Sequence, residues 1–142
     1  MDLLDVNVLL AAHRQDHPHH DRTRPWFDGL LAARSPFGAP DWVWVSFVRI
    51  ATNPRIFTVP TPAPEAFGFA RAVRQQPAYV RVEPGPDHLD DVEGQCTSGD
   101  ASGDLVPDAA LAATAVSLGC RLVSFDRDFA RFPDLDWTVP PT

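Results

Sequence analysis

The chain contains no lysine; all 12 of its basic residues are arginine. That excludes a Schiff-base lysine, a lysine general base and the lysine of a phosphate-binding loop. Glutamate is scarce as well, with three against 16 aspartates, and there are only two isoleucines. A GC-rich coding sequence biases composition in this direction. The two cysteines, Cys96 and Cys120, form neither a CxxC nor a zinc spacing and read as reduced thiols. No stretch approaches the ~20 apolar residues of a membrane span, and the charged opening Met1-Asp2-Leu3-Leu4-Asp5 is unlike a signal peptide. These absences predict a soluble, cytoplasmic protein with no membrane partner.

What is present is globular. In 142 residues, 44% are hydrophobic and 22% charged, enough for one core, so a single domain over 1–142 is expected. The net charge of −7 argues against non-specific binding of nucleic acid over the whole surface, while leaving a local basic groove open.

Apolar patterning alternates between strand and helix. Leu3-Leu4 reads as a short strand ending on Asp5, followed by a helix from Val6 to Ala12. A second helix is expected from about His19 to Ala33, with Pro25 starting or kinking it. Phe37-Gly38-Ala39 reads as a strand and Pro40 to Thr52 as a buried helix closed by Asn53-Pro54. Further helices are predicted over Glu65–Gln75 and His88–Cys96, a strand over Tyr79–Val82, and a mobile loop over Thr97–Gly103. Val106 to Leu118, with Pro107 in its first turn and Gly119 at its end, is the clearest helix. It leads into strands at Arg121–Ser124 and Asp136–Val139. The alternation predicts an α/β fold, a short parallel sheet with helices on both faces.

In such a sheet ligands bind at the carboxyl ends of the strands. Asp5 follows the first strand, Asp126 and Asp128 follow the strand at Leu122–Ser124, and Asp108 opens the helix leading into it. The topology gathers four carboxylates on one edge, where they repel unless a cation lies among them. Oxygen ligands suit Mg²⁺ or Mn²⁺. Each acid also has a local explanation: Asp108 favours the helix dipole, and Asp5, Asp126 and Asp128 sit where helix caps sit.

Four segments carry a resemblance. Leu3-Leu4-Asp5-Val6-Asn7-Val8-Leu9-Leu10 resembles the opening of PIN domains. Leu105-Val106-Pro107-Asp108-Ala109-Ala110-Leu111 is similar to their third acidic segment, and Leu122-Val123-Ser124-Phe125-Asp126-Arg127-Asp128-Phe129 to their "LVTxDxDF" segment. Phe47-Val48-Arg49-Ile50-Ala51-Thr52-Asn53-Pro54-Arg55 resembles one branch of VapC-type toxins, and the ordered set spans the chain. The resemblance implies a PIN-like three-layer fold and a Mg²⁺-dependent endoribonuclease, the toxin of a toxin–antitoxin pair. It further implies a VapB-like antitoxin as partner and a homodimer. By position it makes Asp5, Asp108 and Asp126 catalytic metal ligands and Asp128 an additional acid. Asn7 would orient Asp5.

The chain departs from the family at Ser46, where many VapC proteins carry glutamate. A hydroxyl does not replace that charge, so a catalytically silent PIN-like module binding RNA or protein is the alternative. Arg49 and Arg55 are candidates for contact with RNA phosphates, or else solvated surface arginines. His13, His17, His19 and His20 lack partner cysteines or an HExxH spacing and read as loop and helix-start residues. Trp42 and Trp44 read as core or dimer interface.

Overall fold

The computed structural model describes residues 1–142. Strand β1 (Asp2–Leu4) is followed by α1 (Val6–His13), α2 (His20–Ala32), β2 (Phe37–Gly38), α3 (Asp41–Ala51), α4 (Ala63–Arg74) and α5 (His88–Ser98). A 3₁₀ turn (Gly103–Leu105) leads into α6 (Val106–Leu118), β3 (Arg121–Val123), a second 3₁₀ turn (Arg127–Arg131) and β4 (Trp137–Thr138). The four strands run parallel in the order β2-β1-β3-β4. From β1 the chain moves to one side to reach β2, then crosses back to β3. Right-handed crossovers send these two connections to opposite faces of the sheet. The helices pack as two groups: α3 and α4, which follow β2, join α1 and α2, while α5 and α6, which lead into β3, form the other.

The strands are two or three residues long, so the core is made mostly by what the helices lay on them. Leu3, Leu4, Leu122 and Val123 are fully buried, the continuous apolar run expected of a parallel strand covered on both faces. Phe27, Phe37 and Phe47 fill one side together with the half-buried Phe69. On the other, α6 buries Ala109, Leu111, Ala112, Ala113, Thr114 and Ala115, small side chains that let α5 approach closely. Gly119 closes α6 with φ +65°, a conformation glycine adopts without strain. No helix is long and apolar enough to cross a membrane.

Two expectations are corrected and one is narrowed. The segment Tyr79–Val82 is no strand; it touches the sheet only through the bridges Phe37↔Tyr79 and Pro40↔Val82. The Val80 N–H donates to the Phe37 carbonyl at 2.8 Å, but Pro40 has no N–H with which to continue the ladder. The loop after α5 is also shorter than its composition suggests. Thr97 and Ser98 finish α5, and Arg131 Nη1 ties down the turn by donating to the carbonyls of Gly99 and Asp100, at 3.1 and 2.9 Å. Of the two roles expected for Pro25, it does not start α2, which runs through it and leaves the Asp21 carbonyl without a donor four residues on.

The β2 edge demands glycine. A Cβ on Gly38 would stand 2.3 Å from the Val80 carbonyl oxygen, whereas one on Gly29 in α2 meets nothing within 4 Å. Gly38→Ala should therefore lower unfolding free energy by about 1–3 kcal/mol, and Gly29→Ala should raise it by about 0.5–1 kcal/mol. Urea denaturation of both variants checks the pair; equal midpoints would contradict the close approach.

Candidate metal centre

The site begins where β1 stops. The Asp5 N–H still donates to the Val123 carbonyl at 3.1 Å, keeping Asp5 in the sheet, and the chain then turns into α1. Its Oδ1 accepts the Val6 N–H at 2.7 Å, so the residue does cap the helix. Its Oδ2 accepts the Ser124 hydroxyl at 2.7 Å and the Asn7 amide at 3.3 Å. Burial pushes the Asp5 carboxyl above the usual carboxylate range; the Ser124 and Val6 hydrogen bonds oppose that, and the charge of Asp126 adds to it.

Ser124 joins the two strand ends. It is fully buried, and its Oγ accepts the Asn7 amide at 3.1 Å and the Asp126 N–H at 3.0 Å while donating to Asp5. Asn7 completes the link, its Oδ1 accepting the Phe125 N–H at 3.1 Å. The Ser124 carbonyl accepts the Trp137 indole N–H at 3.0 Å. This serine went unnoticed as a site residue in the sequence. Its signal was there: a small hydroxyl ending the apolar run Leu122-Val123, at the first position after the strand.

Beyond Ser124 lie the remaining acids. Asp126 Oδ1 accepts the Asp128 N–H at 2.9 Å, capping the second 3₁₀ turn. Asp108 stands in the first turn of α6. Carboxylate oxygens of Asp108, Asp126 and Asp128 lie within 4.8 Å of one another. Asp5 is outside this trio but close enough for its charge to act on Asp108. Partial burial, then the charges of Asp126, Asp5 and Asp128, push the Asp108 carboxyl up to about 6, and Arg131 offsets this in part. None of the four ion pairs in the chain involves Asp5, Asp108, Asp126 or Asp128. Oxygen donors crowded together without an ion-pair partner fit a small hard cation. The local readings hold for Asp5 and Asp126, which cap the turns that follow them, whereas Asp108 and Asp128 make no cap hydrogen bond; the converging trio is Asp108, Asp126 and Asp128.

The other residues singled out in the sequence stand apart from this network. Ser46 is half-buried on α3 and makes no side-chain hydrogen bond. Arg49 and Arg55 are exposed and join no ion pair. The histidines do not converge on a metal-type site: His13 Nε2 pairs with the Thr61 hydroxyl, His20 Nδ1 with the Ala11 carbonyl, and His17 Nδ1 accepts the His19 N–H. His19 stacks on Phe125 with ring centroids 4.2 Å apart, beside the acids. Trp44 is core, its indole N–H donating to the Tyr79 hydroxyl at 3.0 Å.

A parallel sheet between two helix layers, with carboxylates clustered at its carboxyl edge, defines an α/β protein with an acidic, cation-type site. The PIN domain family model matches residues 3–135. Over 141 residues the chain is 57% identical to Ribonuclease VapC31 and 55% identical to Ribonuclease VapC25 of Mycobacterium tuberculosis, covering 99% of this chain and of each relative. Among solved structures it resembles VapBC2 from Rickettsia felis bound to a promoter DNA fragment, with TM-score 0.67 at 13% identity over 97% of both chains. It also resembles FitAcB from Neisseria gonorrhoeae, with TM-score 0.59 at 14% identity over 99% of this chain and 98% of that one. The chain belongs to the PIN-domain family and, within it, to the VapC ribonucleases.

Two outcomes test the electrostatics. Asp108 holds its proton to about 6 in the folded chain, against 3.8 ordinarily. Its contribution to stability is thus fully present below pH 4 and is lost as pH rises to 6 and above. Without metal, Asp108→Asn should be more stable than the wild type at pH 7 by about 1 kcal/mol, discounted for solvent exposure, and the gap should close near pH 4. Thermal melts across that range decide it; a constant gap would contradict the repulsion. Ser124→Ala should cost about 1–3 kcal/mol by stranding Asp5 and the Asp126 N–H. It should also weaken Mn²⁺ binding about 10- to 100-fold by calorimetry.

Proposed function

We propose that the chain is a Mg²⁺-dependent endoribonuclease, with Mn²⁺ as a substitute. It hydrolyses RNA phosphodiester bonds at the acid cluster and acts in the cytoplasm as the toxin of a type II toxin–antitoxin pair. The observation that carries this is the approach of Asp108, Asp126 and Asp128 to within 4.8 Å, with the Asp5 carboxylate held behind them by Ser124 and Asn7. In this reading Asp5, Asp108 and Asp126 are the catalytic metal ligands and Asp128 an outer one, the most exposed of the four. These carboxylates would hold a divalent cation, whose chemistry there would be to neutralise charge developing on the phosphoryl oxygens and to make a bound water more acidic.

The protein groups do the rest. Ser124 and Asn7 fix the Asp5 carboxylate from below, so the ligand geometry needs little rearrangement when a cation enters. Burial and then the neighbouring carboxylates raise Asp108, and a cation held there would offset the second of these causes. A carboxylate oxygen of Asp108 or Asp126 is positioned to accept the proton of an attacking water. No histidine belongs to this hydrogen-bonded network, which leaves protonation of the leaving oxygen to solvent. Arg49 and Arg55, exposed and without carboxylate partners, are assigned to RNA phosphates.

A VapB-like antitoxin has a surface to occupy. Val45 on α3, Ile56 and Val59 after it, and Phe67 on α4 are 52–75% exposed, and this α3–α4 region, which also carries Arg49 and Arg55, is the part of the surface assigned to an amphipathic helix of the antitoxin. The solved relatives named VapBC2 and FitAcB support a partner of that kind. A homodimer of the 1–142 PIN unit is the assembled form in this reading. The competing account, a silent module binding RNA or protein, rests on Ser46, which brings no carboxylate to the site.

Purified chain incubated with total RNA should yield discrete fragments with Mg²⁺ or Mn²⁺. Chelator should abolish them, and Asp5→Asn or Asp126→Asn should reduce them at least about a hundredfold. Gel analysis with 5′-end mapping reads the outcome. Absence of cleavage together with absence of Mn²⁺ binding would establish the silent module instead.

A further inference from the structure

Three of the 12 arginines converge at a place the acid cluster does not use. Arg71 and Arg74, from the end of α4, and Arg81, from the bridged segment, line an open cleft of about 370 Å³ with Asp41, Gln75 and Tyr79. Arg71 and Arg74 belong to none of the chain's four ion pairs. Arg81 contacts Glu83 at 2.8 Å, but both side chains are about 70% exposed, and such a pair is weak enough to be exchanged for a ligand. The dipole of α4 accounts for basic residues in its last turn. It does not account for Arg81, which arrives from another segment. Three guanidinium groups against one cleft carboxylate, Asp41, make a positive pocket on a chain of net charge −7. Tyr79 forms a firm wall, its hydroxyl donating to the Ala39 carbonyl at 3.0 Å while accepting the Trp44 indole N–H.

The sheet places this cleft beside the acids. Leu3 is level with Gly38, so Asp5 is level with Pro40, and Pro40 is bridged in turn to Val82. Val82 therefore lies two strand spacings, about 10 Å, from Asp5, and Arg81 precedes it by one residue, level with Leu4. Guanidinium forks match phosphate oxygens in pairs. The cleft has one hydrophobic lining residue, which denies a protein partner the apolar anchors it would use.

We propose that the Arg71–Arg74–Arg81 cleft binds backbone phosphates of the RNA strand running into the acid cluster, a few nucleotides from the bond to be cut. This rests on the nuclease reading above. It makes the three arginines anchoring residues that set where the strand lies without touching the reacting atoms.

The test is fluorescence anisotropy with a labelled mixed-sequence RNA of about 15 nucleotides, in chelator so that nothing is cut. The proteins are the wild type, Arg71→Ala/Arg74→Ala, Arg81→Ala and Arg121→Ala. The last removes one charge at the opposite edge of the sheet, where Arg121 begins β3. Circular dichroism melts confirm that each variant is folded. The double variant should bind about tenfold more weakly at low salt, and its plot of log affinity against log salt should be shallower by about 1.4, two phosphate contacts at about 0.7 each. Arg81→Ala should show about half that change in slope, and Arg121→Ala little. Polyphosphate should compete and polyglutamate of equal charge should not. Wild-type affinity and slope in the double variant, or equal competition by polyglutamate, would overturn the assignment. Cleavage of total RNA by the wild type, run in parallel, separates the two readings: normal cleavage with unaffected RNA binding in the double variant sinks only the cleft. A wild type that neither cuts RNA nor binds Mn²⁺ sinks the nuclease reading, while the anisotropy series still decides whether the cleft holds phosphate.

Discussion

Four carboxylates brought to the ends of two adjacent strands repel one another, and the architecture around them is arranged to hold them there. The repulsion is visible in Asp108, whose carboxyl is pushed up to about 6 by burial and by its three acidic neighbours. Against it stands a lattice of short hydrogen bonds centred on the Ser124 hydroxyl, which donates to Asp5 and accepts from Asn7 and Asp126. A single buried oxygen thereby couples β1 to β3, and through Asp126 to the turn that carries Asp128. The site carries electrostatic strain in the free chain, and a cation bound there would relieve it and so link its binding to stability.

The strands are too short to resist that strain alone. β1 and β3 share three register pairs, and the outer strands contribute two each. Rigidity comes instead from burial on both faces, with Leu3, Leu4, Leu122 and Val123 inaccessible and a cluster of phenylalanines beneath α1 and α3. The other acid-bearing element, α6, is pinned at its start by Pro107 and at its end by Gly119. Arg131 ties the turn before α6 to the turn after β3, and its charge also moderates Asp108. One residue thus serves both the scaffold and the electrostatics.

Much of this was legible in the sequence because each feature is local. The acid after Leu3-Leu4, the Pro107 start and Gly119 stop of α6, and the pattern Asp126-x-Asp128 follow from turns that need caps, and the parallel topology brings them together. What escaped was non-local. Ser124 looks like any strand-end serine until Asp5 and Asn7, more than a hundred residues away, are folded against it. The loop after α5 looks free until Arg131 reaches it, and Tyr79–Val82 looks like a strand until Pro40 interrupts its ladder. The arginines at 71, 74 and 81 share no spacing in the chain that announces a common cleft. Ser46, conspicuous as a departure from the family pattern, remains outside the hydrogen-bonded network.

The central claim is that these carboxylates form one cation site organised by Ser124. The most direct measurement is a crystal structure of the chain grown with Mn²⁺, with anomalous diffraction locating the ion. The account predicts a peak bonded to Asp108 and Asp126 with Asp5 alongside, and loss of that peak in Ser124→Ala crystals grown at limiting Mn²⁺. A peak elsewhere, or none while the acids keep this arrangement, would contradict it.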